Sequence, residues 1–438
     1  MKIPTVSMFG YLRNAGRILK NPLPFHHENF EKYGDIFQVH IGFGKKIIFV
    51  RDAELAEYVL QKNQKNYQKS EIQTKQLAKY VGHGLLTANG KHWAKQRKLI
   101  QPAFHKSFLA GLLDAVQKAI NTEIERIPPN KKIDVFPIFN DLAFQTVVKS
   151  LFSSAASQEE INRLQFITEA AQKMLVKELR QPFIRWWFYL GGSIKKHLDL
   201  TREARHILEN IVEERKRSNQ KHGDLLDMLL EARYEDGKPM EKEQLIDEIL
   251  ILFTAGHETT SNALSFICQL LAQHPETQTR ILEEVKLAKK DNSRMMEFVT
   301  SCKFTQQVIE ESMRLYPPAY FIDRVNIEAD DFKRIDFPKN SSILLSCFEI
   351  HRHKDYWEDP EKFNPDRFSG KENHSSHYFP FGAGPRKCIG NNFAMFEMIL
   401  TIAEVVSRFQ IDLKSDAIEL KPLITLKPEN AFLKFSPR

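Results

Sequence analysis

The stretch Phe379-Pro-Phe-Gly-Ala-Gly-Pro-Arg-Lys-Cys388-Ile-Gly-Asn-Asn-Phe393 decides how this chain of 438 residues is read. Two glycines and two prolines ahead of the cysteine describe a shaped loop that approaches something closely. A helical run, Asn391 to Arg408, opens just after Cys388. A thiolate there faces unpaired backbone N–H groups and the positive end of the helix. Gly384 leaves room for a flat ligand, Gly390 permits tight packing behind the sulfur, and Arg386 can face an acidic group on that ligand. An iron porphyrin held by a proximal thiolate fits all of this. The plainer alternative is a turn around a buried structural cysteine.

Around this loop the chain is ordinary. Hydrophobic residues make up 42% and charged residues 27%, which excludes a wholly disordered protein. Sixty-three basic against 56 acidic residues leave +7, too mild to argue for nucleic acid. The other cysteines, Cys268, Cys302 and Cys347, are scattered, and no CxxC pair exists, so a zinc ribbon or thioredoxin-like motif is excluded. Few cysteines and no apolar leader at the N-terminus point to a reducing, cytoplasmic setting. The longest apolar run near the centre, Ile249 to Ala255, interrupted only by Thr254, falls far short of the roughly 20 residues that span a bilayer.

Strand signals open the chain. Asp35 to Ile41 alternates, and Lys46 to Val50 follows after Gly42 and Gly44, which predicts a hairpin. Helical patterns then dominate. Ala204, Ile207, Leu208, Ile211 and Val212 mark one amphipathic face, and Asp224 to Ala232 reads as a further helix. From Glu241 to Gln273 runs one long pattern, apolar nearly all round in its middle, which implies burial through the centre of the protein. A helix to about Tyr316 is stopped by Pro317 and Pro318, and strands return at Ser342 to Cys347 and Phe432 to Phe435. These elements predict a mainly α fold with a small β subdomain built from both ends of the chain. An N-terminal segment, 1–24, would precede a single domain over 25–438.

The pattern Phe381-x-x-Gly384-x-Arg386-x-Cys388-x-Gly390 closely resembles the haem-ligand signature of the cytochrome P-450 family, the haem-thiolate monooxygenases. Further segments match in the family's order, from about residue 25 to the C-terminus. In the long helix, Ala255-Gly256-His257-Glu258-Thr259-Thr260 resembles the family's oxygen-activation segment. The resemblance implies that Thr259 hydrogen-bonds the oxygen being activated and that Glu258 feeds protons. Gly256 and Thr259 would relax the helix and leave space for dioxygen and water. A zinc-binding HExxH fails because Ser261 stands where the second histidine is needed.

Glu311-Ser-Met-Arg314 and Phe363-Asn-Pro-Asp-Arg367 resemble the family's Glu-Arg-Arg network, which assigns Glu311, Arg314 and Arg367 a structural role. Asp366 departs slightly from the glutamate often found there. His92-Trp93-Ala-Lys-Gln-Arg97 implies that Trp93 and Arg97 donate to a haem propionate, as does Arg324 in Asp323-Arg324-Val325. Phe381, Arg386 and Gly390 join them as haem-binding residues, with Cys388 as the iron ligand.

Residues expected over the haem are Phe253, Thr254 and Ala255, then Ala319, Tyr320, Phe321 and Ile322, with Ile424 and Thr425 at a C-terminal hairpin tip. They are apolar or aromatic, so a lipophilic substrate is implied: a fatty acid, terpenoid, carotenoid or similar. The chain ends at Arg438 without room for a fused flavin reductase. The resemblance therefore implies haem b, no flavin in this chain, dioxygen as co-substrate, and an electron donor of ferredoxin or flavodoxin type. That donor would dock where Lys91, Lys95, Lys98 and Lys387 make the proximal face basic. A monomer without nucleic acid or a transmembrane segment completes the expectation. The alternatives are a haem-thiolate peroxygenase or isomerase, and a non-enzymatic haem sensor.

Overall fold

The alternating residues Ile36–Gly42 form a strand that buries Phe37 and Val39 on one face. It pairs antiparallel with Lys45–Val50, and the register shifts at Gly42, whose φ of 103° suits glycine alone. Phe37 stacks on Phe49 across the ladder, ring centroids 5.1 Å apart. The structure, a computed structural model, describes residues 2–42, 45–153, 156–181, 185–218, 220–370, 372–413 and 417–438.

The chain divides into two compact units, each assembled from separated stretches. One comprises Met1–Ser70, Gln306–Ile389 and Ser415–Ala431; the other comprises Glu71–Thr305, Gly390–Lys414 and Phe432–Arg438. In the first unit the hairpin sits in a sheet ordered Thr5–Val6, Ile36–Gly42, Lys45–Val50, Ser342–Ser346, Phe321–Asn326, Tyr67–Gln68. Ile47–Val50 runs parallel to Ser342–Leu345. One cluster gathers Phe25, Phe30, Phe37, Val39 and Phe49. Another gathers Val50, Leu55, Val59, Leu60, Ile343 and Leu345. The sheet thus draws its later strands from 321–346 and not from the C-terminus. Phe432–Pro437 pairs instead with Phe409–Leu413 and Lys132–Asp134, inside the second unit.

The second unit is built on the helix Lys242–Gln273, ended at His274 where Pro275 opens the next helix. Leu245, Ile246, Ile249, Phe253, Leu264, Phe266, Ile267 and Leu271 are buried, so the apolar run faces protein on most sides. The helix Phe136–Phe152 packs along it, with Phe144 and Phe152 centroids 5.4 and 5.8 Å from Phe253. A Cβ on Gly256 would lie 3.0 Å from Val147 Cγ2. Gly256 therefore lets these two helices approach; the expected opening for dioxygen at this residue is filled by Val147. Among the described residues no helix is long and apolar enough to cross a membrane.

Helix Asn391–Arg408 carries one costly residue, Glu397, fully enclosed in the second unit. Thr146 Oγ1 lies against Glu397 Oε1 and also within 3.0 Å of the Ala143 carbonyl. One hydroxyl proton cannot serve both acceptors. A protonated Glu397 resolves the conflict by donating to Thr146. Burial pushes this carboxyl up to about 8. The folded state then binds more protons than the unfolded chain between about pH 4.5 and 8, so stability falls as pH rises through that window, by roughly 1.4 kcal/mol per unit at most. Glu397→Gln should flatten the decline. Melting temperatures of both proteins from pH 5.5 to 8.5 check this: the variant gains most at the alkaline end.

Candidate functional site

In the first unit, Cys388 sits on the loop Phe379–Ile389, and its backbone N–H donates to the Phe381 carbonyl at 2.9 Å. Of the four cysteines it alone is exposed; Cys268, Cys302 and Cys347 are buried. Burial pushes the Cys302 and Cys347 thiols up to about 12, and Cys268 higher still, so none of them is a ready thiolate. Gly384 adopts φ +67°, and a Cβ there would fall 2.1 Å from the Leu60 carbonyl oxygen. The room this glycine leaves goes to backbone, a correction to its expected role beside a flat ligand. Gly390 is likewise less demanding than expected: a Cβ would meet only Phe104, at an ordinary 3.8 Å.

Two guanidinium groups accompany the loop. Arg386 donates from Nη1 to the carbonyls of Gln64 and Tyr67, at 3.0 and 2.8 Å. Arg324 is buried and donates to the Asp323 carbonyl at 2.7 Å. Burial lowers Arg324 to about 10; Asp323 opposes this and Arg386 adds repulsion. No described carboxylate lies within 4.0 Å of Arg324 in an ion pair. A buried cation of this kind is stabilised by an anion. Arg324 feels the charge of Arg386 on the loop that also carries the accessible Cys388 thiol, and such a loop, held by a left-handed glycine, fits a flat group carrying acidic substituents, of which haem is one.

Behind the loop, Glu311 and Arg314 are both fully buried on the helix Lys303–Leu315. Arg314 grips the carboxylate bidentately, at 2.7 and 2.9 Å, and donates to the carbonyls of His351, Pro360 and Lys362. Glu311 also accepts from the Asn364 N–H at 2.8 Å, and Arg367 Nε stands 3.4 Å away. Arg367 is further tied to the Asp359 carbonyl.

The second unit carries the other candidates. On the long helix, burial is interrupted at 254–256 and 258–259, with Ala255 exposed between buried Phe253 and His257. Thr259 Oγ1 donates to the Ala255 carbonyl at 2.9 Å. His257 is enclosed, its Nδ1 2.5 Å from the Phe253 carbonyl, and burial holds the imidazole neutral. Trp93 and Arg97 are half-buried on Gly90–Ile100, with Arg97 Nε 3.3 Å from Gln101. On the same helix Lys98 pairs with Glu235, and Lys95 lies 3.7 Å over the Tyr234 ring.

The expected pocket residues divide. Phe253 is core, enclosed by Phe144 and Phe152. Thr254, with Tyr80, Val81, Ile167, Thr168 and Leu250, borders a void of only 10 Å³, about one water. In the first unit Phe321 joins the Phe25–Phe49 cluster, and Ile322 lies beside Gly382. Tyr320 is buried and its hydroxyl donates to the Leu423 carbonyl at 2.6 Å, which ties 319–322 to the hairpin turn that bears the exposed Ile424. Residues that sequence reasoning missed act largely through main-chain carbonyls: Leu60, Gln64 and Tyr67 under the loop, His351, Pro360 and Lys362 around Arg314. A carbonyl carries no residue signature, so no motif could flag them.

The family model for Cytochrome P450 matches residues 2–435. A cyclooctat-9-en-7-ol 5-monooxygenase of Streptomyces melanosporofaciens is 29% identical, over 90% of this chain and 85% of its own. Pentalenene oxygenase of Streptomyces avermitilis is 26% identical, over 94% and 91%. Cytochrome P450 4A14 of Rattus norvegicus is 31% identical, over 76% and 71%. A solved cytochrome P450DA heme domain superposes with a TM-score of 0.85 at 21% identity, over 100% of this chain and 98% of that one. The chain belongs to the cytochrome P450 family and has its mainly α fold with a small β region. It is an enzyme of the P450 monooxygenase type.

Removing one partner of a buried pair strands the other charge, at about 3–5 kcal/mol. Arg314→Ala should therefore lower unfolding free energy by about that amount, because Glu311 has no solvent to turn to. Denaturant titration of the variant against wild type measures the loss, and a value under about 1 kcal/mol would mark the pair as exposed.

Proposed function

We propose that this protein inserts one atom of dioxygen into a lipophilic substrate and releases the other as water, with two electrons from a separate redox protein. The observation that carries the reading is Cys388: the accessible thiol among four cysteines, on a glycine-shaped loop beside the buried Arg324 cation. When bound, haem supplies the iron at which dioxygen is activated. The chain supplies the rest. Cys388 Sγ is the metal ligand, as thiolate. Arg324 and Arg386 take the propionates as charge-assisted donors, and Trp93 and Arg97 are assigned the same task.

Thr259 has committed its hydroxyl proton to Ala255, so its lone pairs accept. It holds a proton-bearing water where protons are consumed, and Glu258 carries protons to that water from its carboxyl. His257 takes no part, because its proton sits on Nδ1 against a carbonyl and its ring is enclosed.

The substrates named for the two Streptomyces relatives are hydrocarbon skeletons with at most one hydroxyl, which supports a lipid or terpenoid substrate here. The helices bordering Thr254 leave space for about one water, so a substrate entering there must part them. An acidic ferredoxin or flavodoxin remains the electron donor best suited to the lysines of Gly90–Ile100. The exposed Lys98–Glu235 pair offsets one of those charges, while Lys95, packed over the Tyr234 ring, keeps its own, so docking should weaken as salt rises.

Three measurements test this. Cys388→His should abolish the thiolate-type ferrous-carbonyl Soret band, and retention of that band would remove Cys388 as ligand. Thr259→Ala should leave haem content and the substrate-induced spin shift intact while product per reducing equivalent falls roughly tenfold and peroxide rises. Unchanged coupling would move proton handling away from Thr259. A lipid panel scored by spin shift identifies the substrate class.

A further inference from the structure

Asp330 opens the short strand Asp330–Phe332, outside every motif discussed above. Its carboxylate accepts from three side chains of a single ten-residue segment: the Tyr58 hydroxyl at 3.0 Å, Asn63 Nδ2 at 2.9 Å and the Tyr67 hydroxyl at 2.6 Å. Asn63 Nδ2 also donates to the Tyr58 oxygen at 2.9 Å, and the Asp331 N–H donates to the carboxylate at 3.0 Å. Every acceptor direction of the carboxylate is used, and most of them serve residues 58–67.

The same segment forms the bed of the Cys388 loop. Leu60 presents the carbonyl that excludes any side chain at Gly384. Gln64 and Tyr67 present the carbonyls that hold Arg386, and the Gln64 side-chain oxygen stands 3.3 Å from the same nitrogen. Tyr67 therefore joins the two halves: its hydroxyl goes to Asp330, and its carbonyl goes to Arg386 two residues before the cysteine.

We infer that Asp330 is a positioning residue for the haem-ligand loop: by clamping Tyr58, Asn63 and Tyr67 it fixes the carbonyls that set Arg386, and through Arg386 the place of the Cys388 sulfur. The inference rests on the reading of Cys388 as the iron ligand. Desolvation alone would raise the Asp330 carboxyl, but hydrogen bonds from Tyr67 and Tyr58 outweigh it and keep the group below its usual value, so the clamp is charged at neutral pH. A charged acceptor roughly doubles the strength of each bond it receives. Among the described residues Asp330 reaches the loop only through the 58–67 segment, which separates a positioning role from a direct one.

The test uses holoenzyme with Asp330→Ala, Asp330→Asn and Tyr67→Phe, and the exposed neighbour Asp331→Asn as control. Haem transfer to excess apomyoglobin and the thiolate-type fraction of the ferrous-carbonyl spectrum are the readouts, with melting temperature beside them. Asp330→Ala should release haem about tenfold faster and shift the carbonyl spectrum toward the thiol-type band. Asp330→Asn, which keeps an oxygen acceptor, should fall between Ala and wild type, and Tyr67→Phe should lose haem about threefold faster. Asp331→Asn should match wild type.

A lowered melting temperature with wild-type haem transfer and spectrum would overturn the inference and leave Asp330 a purely structural residue. Should Asp330→Ala fail to accumulate, Tyr67→Phe decides by the same two readouts. A wild-type protein without a thiolate-type band would overturn the Cys388 reading itself, and the inference with it.

Discussion

The Arg314 guanidinium is the interaction on which the first unit turns. It is enclosed, and it meets two carboxylate oxygens of Glu311 and three main-chain carbonyls from residues 351, 360 and 362. Few other devices could organise that stretch. The described residues of 351–378 contain almost no regular structure, so their backbone groups have no ladder to satisfy them. A rigid planar fork with five donors serves several of these groups at once, and lysine offers no such geometry. The Trp357 ring lies 5.1 Å from the guanidinium and helps to close the site against water. The loop that bears Cys388 follows directly in sequence, so its starting point is set by this buried cation.

How much of this was legible depended on whether a side chain or a main chain does the work. The long central helix was readable because an apolar run bounded by Pro275 has few other solutions, and its observed bounds differ by one residue at the start. The hairpin at 36–50 was readable from alternation and glycine. The partner strands were not. Nothing local tells Ser342–Ser346 to lie parallel to Lys45–Val50, or sends Phe432–Pro437 to the second unit, since both are short apolar runs with the same pattern. Long-range pairing is a property of the whole assembly.

The site shows the same division. Cys388, Arg324 and the Glu311–Arg314 pair have identities that motif reasoning can use. Gly384 and Gly256 were recognised as needed, but the space they leave is taken by the Leu60 carbonyl and by Val147. A glycine in a sequence reports that something comes close, not what. Phe253 and Tyr320 looked like pocket walls because they are apolar and well placed. In the structure one is core and the other spends its hydroxyl on the Leu423 carbonyl. Glu397 is the converse case, a charged residue type in a helix that reads as amphipathic, and only its enclosure beside Thr146 reveals a neutral acid.

The unequal exposure of the four cysteines also gives the protein an internal gauge of its own loading. Three thiols are shut away and poorly ionised, so a mild alkylating reagent meets one reactive sulfur per folded chain. On the proposed ligation, that sulfur is also the one that bound iron would shield. The number of labelled cysteines per molecule then counts the unloaded fraction of a preparation, without reference to any absorbance, and a second labelled site reports unfolding.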